Sequence, residues 1–255
     1  LEMLSASLKP SGGRLLVGGR PVGGARDGGD LQGLIGVCPQ FEVLWPTLTV
    51  REHLLFYTRV KGFPRRDERR HVEELITLAG LEGERRRLAR DLSGGQRRRL
   101  AVAIALCGRP ALVLLDEPTT GLDPASRRAL WDIVLAARRQ HTVLLSTHMM
   151  DEADVLASRV AIMVQGRLGA LGTPQHLKTR WGGGYKLEVS LPAAHKPALH
   201  ELVLRMAPAA RQVADYWAAR VYQLPRTLPL SAVFDQLEAA KKRLALKSWG
   251  VAEVT

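Results

Sequence analysis

The chain has 255 residues, 46% of them apolar, 5% aromatic and 24% charged, enough for one substantial core and a small second domain. Its two cysteines, Cys38 and Cys107, sit far apart within apolar runs, which argues against a disulfide framework and suits a reducing compartment. A net charge of +12 brings anionic partners into consideration, whereas no apolar stretch approaches the roughly 20 residues of a membrane-spanning helix and no signal-peptide pattern opens the chain.

Leu1 to Leu8 reads as the end of a helix before the turn Pro10-Ser11-Gly12-Gly13. Leu34-Ile35-Gly36-Val37-Cys38 reads as a strand that Pro39-Gln40 ends. Thr49-Val50-Arg51-Glu52 has the form of a capping box, opening a helix through Leu54, Leu55, Tyr57 and Thr58 to a stop at Gly62. A second helix carries Val72, Leu75, Ile76 and Ala79 on one face and ends at Gly80. The string Leu92-Ser93-Gly94-Gly95-Gln96 then leads into a periodic run, Arg97 to Cys107, with Leu100, Ala103, Ile104 and Cys107 on one face. A small hydroxyl and unobstructed backbone N–H groups at a helix N-terminus suit a phosphate oxyanion. Taken alone, Ser-Gly-Gly is an ordinary N-cap and turn.

Ala111 to Pro118 reads Ala-Leu-Val-Leu-Leu-Asp-Glu-Pro, an aliphatic run of strand length, buried on both faces in a parallel sheet. It ends in Asp116 and Glu117, whose side chains leave the strand in different directions and so suit different tasks. Asp123-Pro124 is a helix start, with an acceptor at N-cap and proline at N1. Thr142 to Leu145 is another aliphatic strand, running into Ser146-Thr147-His148, and Asp151 and Glu152 suit the N-terminus of the helix from Met150 to Ala157. Val160 to Val164 is a strand, and Gln165-Gly166-Arg167 turns into a second one ending near Gly172-Thr173-Pro174.

Gly182-Gly183-Gly184 marks a domain boundary, dividing the chain into 1–181 and 182–255. Beyond it come a strand over Tyr185 to Leu191 and a helix over His195 to Met206. Strands near Val213 to Tyr216 and Ala219 to Leu224 precede a helix with Leu230, Val233, Phe234 and Leu237 at core spacing. A last strand lies near Ala245 to Val251. This β-α-β-β-α-β order is the ferredoxin-like pattern.

Gln40, Ser93, Asp116, Asp123 and His148 come in the order of the ATP-binding-cassette (ABC) ATPases, and Leu92 to Gln96 resembles their signature. The resemblance implies an α/β fold with a P-loop NTPase-like parallel sheet, a helical insertion over about 41–107 that receives the coupling helices of a membrane domain, and a small α+β regulatory domain behind it. It implies ATP and Mg²⁺ as ligands. Asp116 would hold Mg²⁺ through water, as the Walker B strand does, and Glu117 would orient and polarise the attacking water. Gln40 resembles the Q-loop glutamine that meets Mg²⁺ or its water, and His148 the histidine that contacts the γ-phosphate. Ser93, Gly94, Gly95 and Gln96 would bind the nucleotide of a second ATPase domain, and Gly121-Leu122-Asp123 would cross between the paired domains.

No Gly-x-x-x-x-Gly-Lys-[Ser/Thr] occurs in the chain, so the phosphate-cradling loop is missing. Truncation is the expected reason, and a chain inactive on its own the expected result; the alternative is a degenerate ATPase. Cys38 to Leu44, Leu48 to Leu54, Ser146 to Asp154, Gly183-Gly184-Tyr185 and Trp249-Gly250-Val251 look like subfamily A of the ABC transporters, the large lipid exporters. That kinship implies two membrane domains and two ATPase domains in one polypeptide, at the cytosolic face of a membrane, moving phospholipid or sterol. It also implies that the chain stops short of a final helix. The alternatives are a soluble ABC ATPase of translation or DNA repair, and a non-catalytic remnant.

The basic charge lies largely in Arg65-Arg66 with Arg69-Arg70, in Arg85-Arg86-Arg87 and in Arg97-Arg98-Arg99. Acidic residues are mixed into the first two clusters and no base-stacking aromatics accompany them. A solvated helix face is the leading expectation, anionic lipid headgroups the second, and nucleic acid the third, so that no specific nucleic-acid partner is expected.

Overall fold

Residues 1–5, 7–21, 33–182 and 184–253 are described in the computed structural model of the chain. Gly183, the middle of the glycine run read as a boundary, lies outside them. The chain divides into two compact units, Leu1–Leu156 and Ala157–Thr255.

The first unit opens with an antiparallel ribbon, β1 (Leu16–Val17) and β2 (Arg20–Pro21). Gly18 and Gly19 turn it, both at positive φ (57° and 78°), as a tight two-residue hairpin turn requires. The expected helix end at Leu1 to Leu8 is not a helix in the described residues: Leu1–Ser5 form turns, with the Ser5 N–H donating to the Leu1 carbonyl at 3.0 Å. One such bond does not offset the entropy of fixing a helical turn.

Then follow β3 (Ile35–Cys38), α1 (Val50–Val60), α2 (Glu68–Leu78), a 3₁₀ turn at Ala89–Asp91 and α3 (Gly94–Ala105). β4 (Leu112–Asp116), α4 (Pro124–Ala137), β5 (Thr142–Ser146) and α5 (Met150–Leu156) complete the unit. The three strands form the expected parallel sheet in the order β3-β4-β5, with Cys38 beside Leu115 and Asp116 beside Ser146. Val113, Leu114 and Leu115 of the central strand are buried on both faces, as parallel strands under helices are.

α1, α2 and α3 form the helical insertion. The Thr49 hydroxyl accepts from the Glu52 N–H at 3.2 Å while the Glu52 carboxylate accepts from the Thr49 N–H at 2.8 Å, so the capping box read from the sequence forms. Val50, Leu54, Val72, Leu75, Ile76, Leu81 and Leu100 are buried in a core continuous with the sheet. Gly36 sets how closely the end of α3 approaches β3. A Cβ there would lie 1.8 Å from the Ala105 carbonyl oxygen, a distance no side chain tolerates.

The second unit begins with an antiparallel hairpin, β6 (Val160–Val164) and β7 (Arg167–Gly172), followed by α6 (Pro174–Trp181). α6 was not expected from the sequence, although Thr173 caps it and Pro174 occupies its first turn. It buries only Leu177, so no apolar periodicity announces it. β8 (Tyr185–Ser190), α7 (Lys196–Met206), β9 (Arg211–Tyr216), β10 (Ala219–Leu224), α8 (Leu230–Ala240) and β11 (Ser248–Glu253) follow. The sheet order is β11-β8-β10-β9 with antiparallel neighbours, the ferredoxin-like arrangement. Leu187, Val189, Leu199, Val203, Tyr222, Val233 and Leu237 form its own core. Phe234, expected in that core, is instead exposed on α8, with its ring edge-on to Trp249 at 4.9 Å between centroids. Val233 and Leu237 already fill the buried side of this helix.

Candidate functional site

The parallel register carries the candidate residues to one edge of the first unit, because β3, β4 and β5 all end there. Asp116 closes β4 and pairs with Ser146, which closes β5. The Ser146 hydroxyl donates to Asp116 Oδ1 at 2.5 Å and accepts from the Glu117 N–H at 3.2 Å. Glu117 is then forced into the left-handed region, with φ of 42°, which is uncommon for a residue with a Cβ and typical of functional turns. That backbone turn separates its side chain from that of Asp116.

Three side chains converge on the Glu117 carboxylate. Gln40 Nε2 donates to Oε2 at 3.3 Å, Thr120 Oγ1 donates to the same oxygen at 3.0 Å, and His148 Nδ1 lies 3.4 Å from Oε1. The His148 side chain is 66% exposed and that of Glu117 29%, so their pairing is weak in energy and its interest is geometric. Gln40, Asp116, Glu117 and His148 thus come together from three strand ends.

The signature residues occupy the start of α3. The Ser93 hydroxyl accepts from the Gln96 N–H at 3.2 Å, and the Gln96 side-chain carbonyl accepts from the Ser93 N–H at 2.9 Å. Gln96 Nε2 donates to Glu84 at 3.0 Å, so its amide is engaged in holding the helix start. Gly95 packs against α4: a Cβ on it would stand 2.5 Å from Ser126 Oγ. Gly94 faces open space, with nothing nearer than 3.9 Å. Asp123 caps α4, accepting from the Ala125 and Ser126 N–H groups at 3.0 Å each. The Ser126 hydroxyl, then these backbone donors, hold the Asp123 carboxyl below the usual range. Among the described residues no hydrogen bond or ion pair joins Ser93 or Gly94 directly to Gln40, Asp116, Glu117 or His148.

Sequence reasoning placed Arg97, Arg98 and Arg99 in a solvated basic cluster, and the structure corrects this for Arg98, which is 3% exposed. Its Nε donates to the Pro118 carbonyl at 2.7 Å, Nη1 to those of Pro39 and Gln40 at 2.8 and 3.0 Å, and Nη2 to those of Asp116 and Glu117 at 2.9 and 3.0 Å. The small residues Ala101 and Ala105, at i+3 and i+7 and both buried, were the sequence signal that Arg98 faces inward. Arg97 and Arg99 are partly engaged too, with Glu42 and with the Ala79 and Gly80 carbonyls. Ser146 was also missed as a functional residue, since its role depends on a neighbouring strand. Glu152, read as a first-turn acid of α5, is 1% exposed and neither carboxylate oxygen has a hydrogen-bond partner among the described residues, and no feature of those residues accounts for this.

Both cysteines are buried and unbridged. Burial pushes the Cys38 thiol up to about 11 and the Cys107 thiol up to about 12, so neither is a thiolate near neutral pH. Among the described residues no group of three or more His, Cys, Asp or Glu could hold a metal ion. Mg²⁺ takes hard oxygen ligands, commonly one or two from the protein with waters and substrate oxygens completing the shell. The Asp116 carboxylate and the Gln40 side-chain carbonyl are oxygen donors of the required hardness. No helix among the described residues is long and apolar enough to cross a membrane.

The ABC transporter family profile matches residues 1–120. The chain is 39% identical over 258 aligned positions to ABC transporter A family member 5 of Arabidopsis thaliana, and 38% identical to member 12 of the same plant. Each alignment covers 100% of this chain but only 27% and 28% of those proteins, so the chain spans little more than a quarter of their length. Among solved structures, CbiO1 from Clostridium perfringens, part of the ABC transporter complex CbiONQ, matches with a TM-score of 0.64 over 80% of this chain and 77% of that one. At 24% identity that likeness concerns the fold alone. The match of residues 1–120 to the family profile and the alignment of the whole of this chain with part of each A family member agree, and the chain belongs to the ABC transporters, as an ATP-binding domain of their A subfamily.

Proposed function

We propose that this chain supplies one half of an ATP-hydrolysing pair that powers lipid transport. The observation that carries the reading is the convergence of Gln40, Thr120 and His148 on Glu117 beside Asp116. Glu117 is the acceptor that orients the attacking water; Gln40 and Thr120 fix its carboxylate, and His148 stands at the open side to meet the γ-phosphate. Asp116, steadied by Ser146, and Gln40 are the donors for Mg²⁺, which when bound neutralises charge developing on the phosphate oxygens. Ser93, Gly94 and Gly95 present a hydroxyl and helix N-terminal N–H groups to the nucleotide held by a second ATPase domain, and Asp123 stiffens the neighbouring turn at that junction.

The partners are that second domain, in the same polypeptide, and membrane domains docking on the α1–α3 insertion, with the chain at the cytosolic face. Phospholipid or sterol is the cargo class implied by likeness to the A subfamily. Residues 182–255 form a regulatory domain that follows an ATPase domain of residues 1–181 in the chain; the separate core of the ferredoxin-like part supports a second domain, while β6, β7 and α6 fall with it in the compact unit Ala157–Thr255. Without a Gly-x-x-x-x-Gly-Lys-[Ser/Thr] loop in its 255 residues, the chain alone does not turn over ATP.

Glu117→Gln in the complete transporter tests the reading. The amide keeps the shape but is a weaker acceptor for water, so ATP should still bind while phosphate release falls about a hundredfold or more. Near-wild-type turnover would remove Glu117 from the role assigned to it.

A further inference from the structure

Arg98 is a buried cation that forms no ion pair among the described residues. Its five N–H groups, all that a guanidinium has, each meet one main-chain carbonyl. Burying a charge without a counterion is costly, and a hydrocarbon side chain would fill the space between helix and strand without that cost. The guanidinium does what a hydrocarbon cannot: its rigid fork holds two separate segments at once. One is the Pro39-Gln40 loop after β3, and the other is the Asp116-Glu117-Pro118 turn after β4.

The same helix begins at Ser93. Arg98 lies five residues further on, about 7.5 Å along the axis. A helix moves as a unit, so a displacement of its first turn by a bound phosphate is felt at the carbonyls of Gln40 and Glu117. Those two residues are already joined, Nε2 to Oε2, at 3.3 Å.

Given the ATP-site assignment proposed above, we propose that Arg98 is the positioning residue that couples contact of Ser93 to Gly95 with the partner's ATP to the alignment of Gln40 and Glu117 in the chain's own site. It touches neither nucleotide. Through it each half is set for hydrolysis only when its signature helix is seated on the other half's nucleotide, which makes the two sites interdependent.

Arg98→Lys and Arg98→Gln in the complete transporter test this. Lysine keeps the charge but presents a single ammonium that does not span both segments, and glutamine keeps two donors without the charge. Both should leave ATP affinity within about threefold while kcat per folded molecule falls about tenfold or more, the scale of coupling between linked sites. Thermal unfolding run alongside supplies the folded fraction. Variants that melt earlier yet keep wild-type kcat per folded molecule would make Arg98 a structural residue and overturn the proposal.

A second measurement leaves Arg98 in place and so does not depend on its variants folding. ATP-driven closure should slow amide exchange at residues 39–41 and 117–120 of the complete transporter, and Ser93→Arg should remove that slowing in the same half while ATP still binds. Equal protection with and without Ser93→Arg would overturn the coupling. Glu117→Gln distinguishes the two levels of the proposal. Retained turnover in that variant sinks the ATP-site reading itself, whereas lost turnover beside unaffected Arg98 variants sinks only the coupling.

Discussion

Gln40 and Glu117 lie 77 positions apart in the chain, yet the amide nitrogen of one is 3.3 Å from a carboxylate oxygen of the other. The pairing leaves the Gln40 carbonyl oxygen available as an acceptor or metal ligand and fixes one Glu117 oxygen, while His148 approaches the second. Neutrality at position 40 is what makes this arrangement tolerable beside two carboxylates.

Gln40→Glu would therefore place a like charge against Glu117. One of the two carboxyls then holds its proton to higher pH, and the acid limb of the pH–turnover profile in the complete transporter should move up by about one unit or more. Gln40→Ala, which adds no charge, should lower turnover without that displacement. Identical acid limbs in the two variants would show that position 40 does not sense the Glu117 charge.

Gly94 and Gly95 should respond differently to alanine. A Cβ at Gly95 collides with Ser126, whereas one at Gly94 meets nothing closer than 3.9 Å. Gly95→Ala should lower stability by about 1–2 kcal/mol, and Ser126→Gly in the same molecule should recover part of it. Gly94→Ala should be neutral or stabilising, since alanine favours the helix by up to about 1 kcal/mol. Denaturant unfolding of the four proteins reads the difference.

Stability should fall in mild acid because of two buried imidazoles. His53 donates from Nδ1 to the Thr49 carbonyl at 2.9 Å and accepts at Nε2 from the Trp45 N–H at 3.0 Å, so it is held in its neutral form. His71 accepts from the Gly108 N–H at 3.3 Å. Burial, the main cause, lowers both below the ordinary value of 6.5. The unfolded chain then takes up protons first as the pH falls. The contribution is complete above about pH 6.5 and is lost progressively as the pH drops from there towards the folded values. Thermal midpoints should decline over that interval, and His53→Gln should flatten the decline. An unchanged slope in His53→Gln would exclude His53 as a source.

Binding to polyanions should be weak and dispersed by physiological salt. Arg51 and Arg85 pair with Glu73, Arg59 with Glu68, Arg70 and Arg109 with Glu74, and Arg97 with Glu42, while Arg98 is buried. These pairs lower the net positive field of the helical insertion and so the number of counterions it displaces from a phosphate backbone. Salt titrations with duplex DNA, RNA and anionic vesicles check this, with vesicles expected to bind comparably or better. Nanomolar binding to nucleic acid that resists salt would favour a translation or repair ATPase over a transporter.

The helix starts at Thr49, Ser93 and Asp123 and the strands ending at Cys38, Asp116 and Ser146 are legible in the amino-acid order, because capping and apolar periodicity act between residues within one or two turns of each other. The candidate roles of Gln40, Asp116, Glu117 and His148 are legible only through a family likeness, since each is unremarked in its own neighbourhood. Their meeting depends on the parallel register of three strands, which brings Asp116 beside Ser146, and no local rule sets that register. Phe234 fits core spacing and yet lies outside, because a helix face is divided between core and solvent by what packs on it. Arg98 is the sharpest case. One arginine in a run of three is withdrawn from water by carbonyls 58 and 19 positions away, and only the folded chain brings those acceptors within reach of a single guanidinium.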